Sequence, residues 1–243
     1  MKKKRKIVPI IIVALLILSV NYSAAREEGG YVYSHGEDRF VDNVYNFLKH
    51  FSSPFDPNQY YWDQAYMFTT HNDSYIDEMD IAYYSGHGNH WYLAMGPGAS
   101  DPKWVNIKNP IKNGWGNKDL EFIVFQSCAV IPAPPDVGSP AWAKYWAGPG
   151  RVFQGLHQAI GYRTSSYSGN GISSNFGWRI RHHQRVWQAW FAAVNDERSW
   201  WHGEDYPGYA SVVLYPGLDN DTYYDYGDDP PKNHTKLRIY WQY

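Results

Sequence analysis

Two residues in this chain combine reactive side chains with positions at the ends of apolar runs. His87 closes the run Met79-Asp-Ile-Ala-Tyr-Tyr-Ser-Gly-His-Gly88, and Cys128 closes Leu120-Glu-Phe-Ile-Val-Phe-Gln-Ser-Cys-Ala129. Each run reads as a buried strand whose carboxyl end delivers one reactive group. Cys128 is also the only cysteine, so it has no partner for an internal disulfide. A free thiol and an imidazole at neighbouring strand ends are the components of nucleophilic acyl transfer: a thiolate attacks, and a histidine moves the proton.

The surrounding elements must bring the two together. Gly30–Ser34 reads as a first strand, and Asp38–Phe51 as a helix with Phe40, Val44, Phe47, Leu48 and Phe51 on one stripe. Tyr66–Thr70 reads as a short strand, and Met79–Ser85 and Leu120–Ser127 as the two strands that matter most. Residues 96 to 117, rich in Pro, Gly and Asn, read as loop with at most a short helix. Ile131-Pro-Ala-Pro-Pro135 forbids a regular helix directly after the cysteine. Partial helix is expected from Trp142 to His157, then a strand from Gln158 to Tyr167. The longest helix is expected from Ser173 to Asn195, and strands over Tyr209–Tyr215 and Leu237–Tyr243.

This alternation predicts a single α/β domain, residues 26–243, with a mostly parallel central sheet and helices on both faces. In such sheets reactive groups collect where the strands' carboxyl ends leave a crevice. If the His87 and Cys128 strands are parallel neighbours, both side chains emerge at one rim. The 40 residues between them leave ample chain for a crossover.

Residues 1–25 have the form of a signal peptide: Lys2, Lys3, Lys4, Arg5 and Lys6, an apolar stretch from Ile7 to Val20, and Ser23, Ala24 and Ala25 before a cleavage point. The apolar stretch is shorter than the roughly 20 residues of a stable membrane span. A secreted or cell-surface protein is therefore expected, without a stable span once the leader is cut. The whole chain has 22 basic and 24 acidic residues. Five of the basic residues and none of the acidic ones lie in the leader, so the remainder carries 17 against 24, a formal −7. That surface argues against a nucleic-acid partner.

The two strand ends resemble the caspase-like clan of cysteine peptidases, which includes caspases, legumains, gingipains and clostripain. Tyr83-Tyr-Ser-Gly-His-Gly88 and Val124-Phe-Gln-Ser-Cys128 match its two half-motifs in residue type, order and spacing. Gly155–Tyr162, Val186–Trp190 and Gly208–Val213 also look like a secreted microbial group related to that clan. The resemblance implies the caspase-haemoglobinase fold and a peptide or protein substrate. It also implies a dyad: Cys128 as nucleophile, His87 as general acid, and the N–H groups of Gly88 and Cys128 as oxyanion hole.

The chain departs from the pattern after the cysteine. Ala129-Val-Ile-Pro132 stands where active members have glycine or an acidic residue. Asp136, His157 and Arg163 are the candidates for a substrate pocket. An inactive relative serving as a binding or adhesion module, and a cell-wall peptide hydrolase or transpeptidase, are the alternative readings. No cofactor or metal is expected. The acidic stretch 219–229 reads as a solvated loop in which Asp219, Asp221 and Asp225 would meet calcium, though its order is not that of an EF-hand. The adjacent His182 and His183 face different sides of a helix and read as a solvated face.

Overall fold

The computed structural model describes residues 26–33, 37–51, 58–96, 103–138, 142–166, 170–200, 208–225, 230–233 and 235–243. The expected leader, the end of the first expected strand at Ser34 and part of the acidic stretch lie outside them. No helix among the described residues is long and apolar enough to cross a membrane.

The protein is α/β, with a seven-stranded sheet. In chain order its strands are β1 (Glu28–Val32), β2 (Gln59–Trp62), β3 (Ile81–Ser85), β7 (Phe122–Gln126), β8 (Gln158–Tyr162), β9 (Ala210–Leu214) and β10 (Arg238–Trp241). Three short strands, β4 (Gly88–Asn89), β5 (Tyr92–Ala94) and β6 (Trp104–Asn106), form a separate antiparallel sheet inserted between β3 and β7. The main sheet runs β10-β9-β8-β7-β3-β1-β2. The five strands from β2 to β8 are parallel, while β9 and β10 add antiparallel pairings at one edge.

The central strands are apolar without alternation because both their faces are covered. Ile81, Tyr83, Phe122 and Val124 belong to one core cluster, and Ala82, Tyr84, Ile123 and Phe125 to the other. The three long helices, α1 (Asp38–Leu48), α5 (Asn170–Arg181) and α6 (Val186–Trp200), pack on the first face. The second face is covered differently from expectation: by the small sheet, by α2 (Ala65–Phe68) and by the short α3 (Pro134–Val137) and α4 (Ala143–Trp146) with their loops.

Three local expectations change. The run expected as a strand over residues 66–70 is instead a short helix, α2, followed by a turn at Thr69 and Thr70: α2 buries Ala65, Met67 and Phe68, and a run that short has no period by which helix and strand can be told apart. The stretch read as loop contains β6, whose Val105 pairs with Leu93 and is buried. The long helix is two. His183 takes a left-handed φ of 58°, the Gln184 N–H donates to Arg179 O at 3.2 Å and the His183 N–H to Ile180 O at 3.2 Å. That is a Schellman closure, which satisfies the last carbonyls of α5 and turns the chain into α6.

Candidate active site

β3 and β7 are hydrogen-bonded parallel neighbours, with Ser85 opposite Gln126. His87 and Cys128 each lie two residues beyond that pair, on the same strand parity and so toward the α1 face. Ser85 accepts a hydrogen bond from Asn43 of α1 at 3.2 Å, and the Gln126 carbonyl oxygen accepts one from Tyr83 at 2.6 Å. Both reactive residues line one cleft of about 140 Å³, together with Arg39, Phe40, Ser127 and Ser166.

Aromatic rings fix the His87 imidazole. Tyr33 and Phe40 meet it edge-to-face, with centroids at 5.4 and 5.1 Å. Its Nε2 lies 2.6 Å from Glu37 Oε1, and the other carboxylate oxygen of Glu37 is held by Arg39. Burial pushes the Glu37 carboxyl upward, but the hydrogen bonds from His87 and Arg39 outweigh it and hold it below the usual carboxylate range. Among the described residues Nδ1 makes no hydrogen bond, so it is the ring nitrogen not engaged by Glu37.

The turn after β7 holds the thiol. Ala129 sits at φ 50°, a left-handed conformation costly for any residue with a Cβ, and its N–H donates to Thr164 O at 2.9 Å. The Ile131 N–H donates to Tyr162 O at 3.1 Å. Cys128 is thereby drawn against the end of β8, where the Ser166 N–H points at Sγ from 3.4 Å and the thiol can donate to Ser166 O at 3.6 Å.

Gly88 joins the two strand ends. A Cβ there would overlap Ser127 Oγ and lie 2.7 Å from Val130, so only glycine allows this approach. The Ala94 N–H donates to His87 O at 2.9 Å, which makes Gly88–Leu93 the next, non-hydrogen-bonded pair of that ladder. The Gly88 N–H therefore points away from β5. The Cys128 N–H meets no acceptor among the described residues.

The other expected site residues lie elsewhere. Asp136 and Arg163 stand at the same rim but spend their charges on each other, at 2.5 Å and 3.1 Å. Burial raises the Asp136 carboxyl, yet hydrogen bonds from Arg163 and the Ala133 N–H lower it on balance. Arg163 also donates to Gln242 O at 3.1 Å, so the pair ties the chain after Cys128 to β8 and β10 and takes no part in lining the cleft. His157 sits at the opposite, amino end of the sheet, 1% exposed, with Nδ1 2.9 Å from Asp221 Oδ2. It precedes β8 and so cannot reach a site built on strand carboxyl ends.

The three carboxylates considered for calcium go to separate partners. Asp219 holds Arg238 and Tyr240, Asp221 holds His157, and Asp225 accepts from the Thr222 N–H and hydroxyl. Among the described residues no three acidic, histidine or cysteine side chains gather as metal ligands. His182 and His183 each stack on a ring of their own, Trp178 and Tyr224, both at 4.2 Å.

Glu37, Arg39, Phe40 and Ser166 are what the strand-end reasoning missed. A signal for Glu37 exists: an acidic residue starting the helix after β1 stands at the carboxyl rim once β1 is placed beside β3.

A family model described as a domain of unknown function, DUF6345, matches residues 31–243. No curated protein matches the chain. The match runs from within β1 through β10 and takes in the cleft with Glu37, His87 and Cys128, so the chain belongs to the DUF6345 family.

Proposed function

We propose that this protein is a thiol hydrolase of peptide bonds, a cysteine peptidase of the caspase-like kind acting outside the cytoplasm. The observation that carries this reading is the shared cleft: a free cysteine and a ring-held histidine, from adjacent parallel strand ends, open into the same space. Access, nucleophile and proton carrier are thus present together.

In the reaction the Cys128 thiolate attacks the carbonyl carbon, and the displaced electron pair forms an oxyanion. The N–H groups of Gly88 and Cys128, neither spent on the neighbouring ladder, donate to that oxygen. The tetrahedral adduct collapses to a thioester as His87 Nδ1 gives its proton to the departing amine. Water then attacks the thioester, His87 takes a proton from it, and the acid leaves as the thiolate is restored. His87 and Cys128 share no hydrogen bond in the unliganded protein; such contacts tighten when substrate is bound.

The test is hydrolysis of a mixed peptide library by the mature protein and by Cys128→Ala, alongside iodoacetamide labelling of Cys128 at pH 6 with and without His87→Ala. Cleavage lost in Cys128→Ala, and labelling about 10-fold faster with His87 than without it, is the expected result. Cleavage that survives Cys128→Ala overturns the proposal. So does labelling indifferent to His87 with no cleavage, which would leave the binding-module reading. Ligation of added amine acceptors in place of hydrolysis would mark the transpeptidase reading.

A further inference from the structure

Glu37 occupies the N-cap of α1, yet its side chain makes no capping hydrogen bond to that helix. An N-cap side chain ordinarily accepts from the second or third helical N–H, and glutamate is not among the residues favoured there. The carboxylate is turned out instead and divided between two partners, Oε1 on His87 and Oε2 on Arg39. It still stands at the positive end of the α1 dipole, which favours its ionised form. A residue that gives up its local role for a distant contact, 50 positions along the chain, is where local and tertiary demands conflict.

We infer that Glu37 is a positioning residue for the proposed reaction, fixing the proton of His87 on Nε2 so that Nδ1 presents its lone pair to the cleft. This inference rests on the thiol-hydrolase reading and adds a third member to its dyad. An imidazole has two tautomers, and only the one with a bare Nδ1 can take a proton in the cleft. The carboxylate selects that tautomer by accepting from Nε2–H, and it stabilises the imidazolium formed when Nδ1 is protonated. Tyr33 and Phe40 stop the ring from flipping to offer the other nitrogen. Arg39 is the second half of the device. By holding Oε2 it keeps the carboxylate ionised and aimed, and because it also lines the cleft, the orientation of Glu37 is set beside the substrate.

The experiment is nitrogen-15 NMR of the His87 ring in the full mature chain at pH 8, with peptide hydrolysis measured on the same samples. Wild type, Glu37→Gln and Glu37→Ala are compared. Wild type is expected to show the Nε2–H tautomer. Glu37→Gln keeps an acceptor without the charge, so the tautomer should survive while kcat falls about 10- to 100-fold at little changed KM. Glu37→Ala should give mixed tautomers and a larger loss.

A merely structural role for Glu37 would move the melting temperature and leave the tautomer alone. An unchanged tautomer and kcat in folded Glu37→Ala overturns this inference and leaves the Cys128–His87 reading standing. Wild-type protein that hydrolyses nothing and labels independently of His87 overturns that reading instead, whatever the tautomer.

Discussion

At the carboxyl end of the sheet Glu37 holds His87 at 2.6 Å, and at the amino end Asp221 holds His157 at 2.9 Å. As pairs of groups the two are nearly the same. Their surroundings are not. The side chains of His87 and Glu37 are 44% and 31% exposed and share their cleft with a thiol, whereas those of His157 and Asp221 are 1% and 12% exposed and face the core. The buried pair pins the chain after β9 to the start of β8. A histidine–carboxylate pair is thus sealed in the core or open beside a thiol according to where it stands, and the parallel sheet sorts the two by putting open loops at one rim only.

The sharpest way to break this comparison is activity. In a protein that cleaves peptides, His87→Ala is expected to reduce kcat/KM by about 10²- to 10⁴-fold. His157→Ala, assayed below its melting temperature, should leave the rate per folded molecule unchanged. Equal losses in both variants would erase the distinction.

Stability should rank them in reverse. His157→Leu leaves the buried Asp221 carboxylate short of a partner, at a cost of about 2–4 kcal/mol. His87→Leu removes a half-exposed pair and should cost less than about 1 kcal/mol. Urea unfolding midpoints decide the order, and a larger cost at His87 would show that the open pair is holding the fold.

Gly88→Ala probes how closely the rim is packed. Its new Cβ must push against Ser127 and Val130, for a loss of about 1–3 kcal/mol, and hydrolysis should fall as the Gly88 N–H moves. Wild-type activity in that variant would remove Gly88 from the oxyanion hole.

A last test compares two carboxylates at the same rim. Glu37 is held low, but Asp63, just after β2 and fully buried, is pushed up to about 8 by burial, only partly offset by the Gly96 N–H at 2.7 Å. A raised pKa means that the folded chain keeps a proton which the unfolded chain releases. Its stabilising contribution is therefore full below about pH 4 and lost as pH rises toward 8, at no more than about 1.4 kcal/mol per pH unit. Melting temperatures should fall over that range, and Asp63→Asn should flatten the curve. A curve of unchanged slope would mean that Asp63 does not cause it.

Chain order and periodicity made much of this fold legible. The strands ending near His87 and Cys128 were readable because a run apolar at every position can only be covered on both faces, and β9 and β10 because short β-branched or aromatic runs favour extension. α2 and β2 were not readable. Runs of four residues carry no period, and their state is set by the Tyr31, Phe68 and Tyr61 rings packed around them. The break between α5 and α6 was hidden as well, because left-handed backbone at a histidine has no sequence mark as clear as glycine's.

By itself the sequence determined the α/β class and the two strand ends at His87 and Cys128, since apolar strand runs follow from local pattern, whereas their meeting at one rim required the parallel β3–β7 pairing. Tertiary structure alone decided which histidine is open and which is sealed, that Glu37 stands behind the imidazole, and that the expected pocket residues Asp136 and Arg163 pair with each other. Those outcomes depend on contacts between residues 50 and 64 positions apart, and on which carboxylates are already spent on an arginine. No local pattern of residues records such distances.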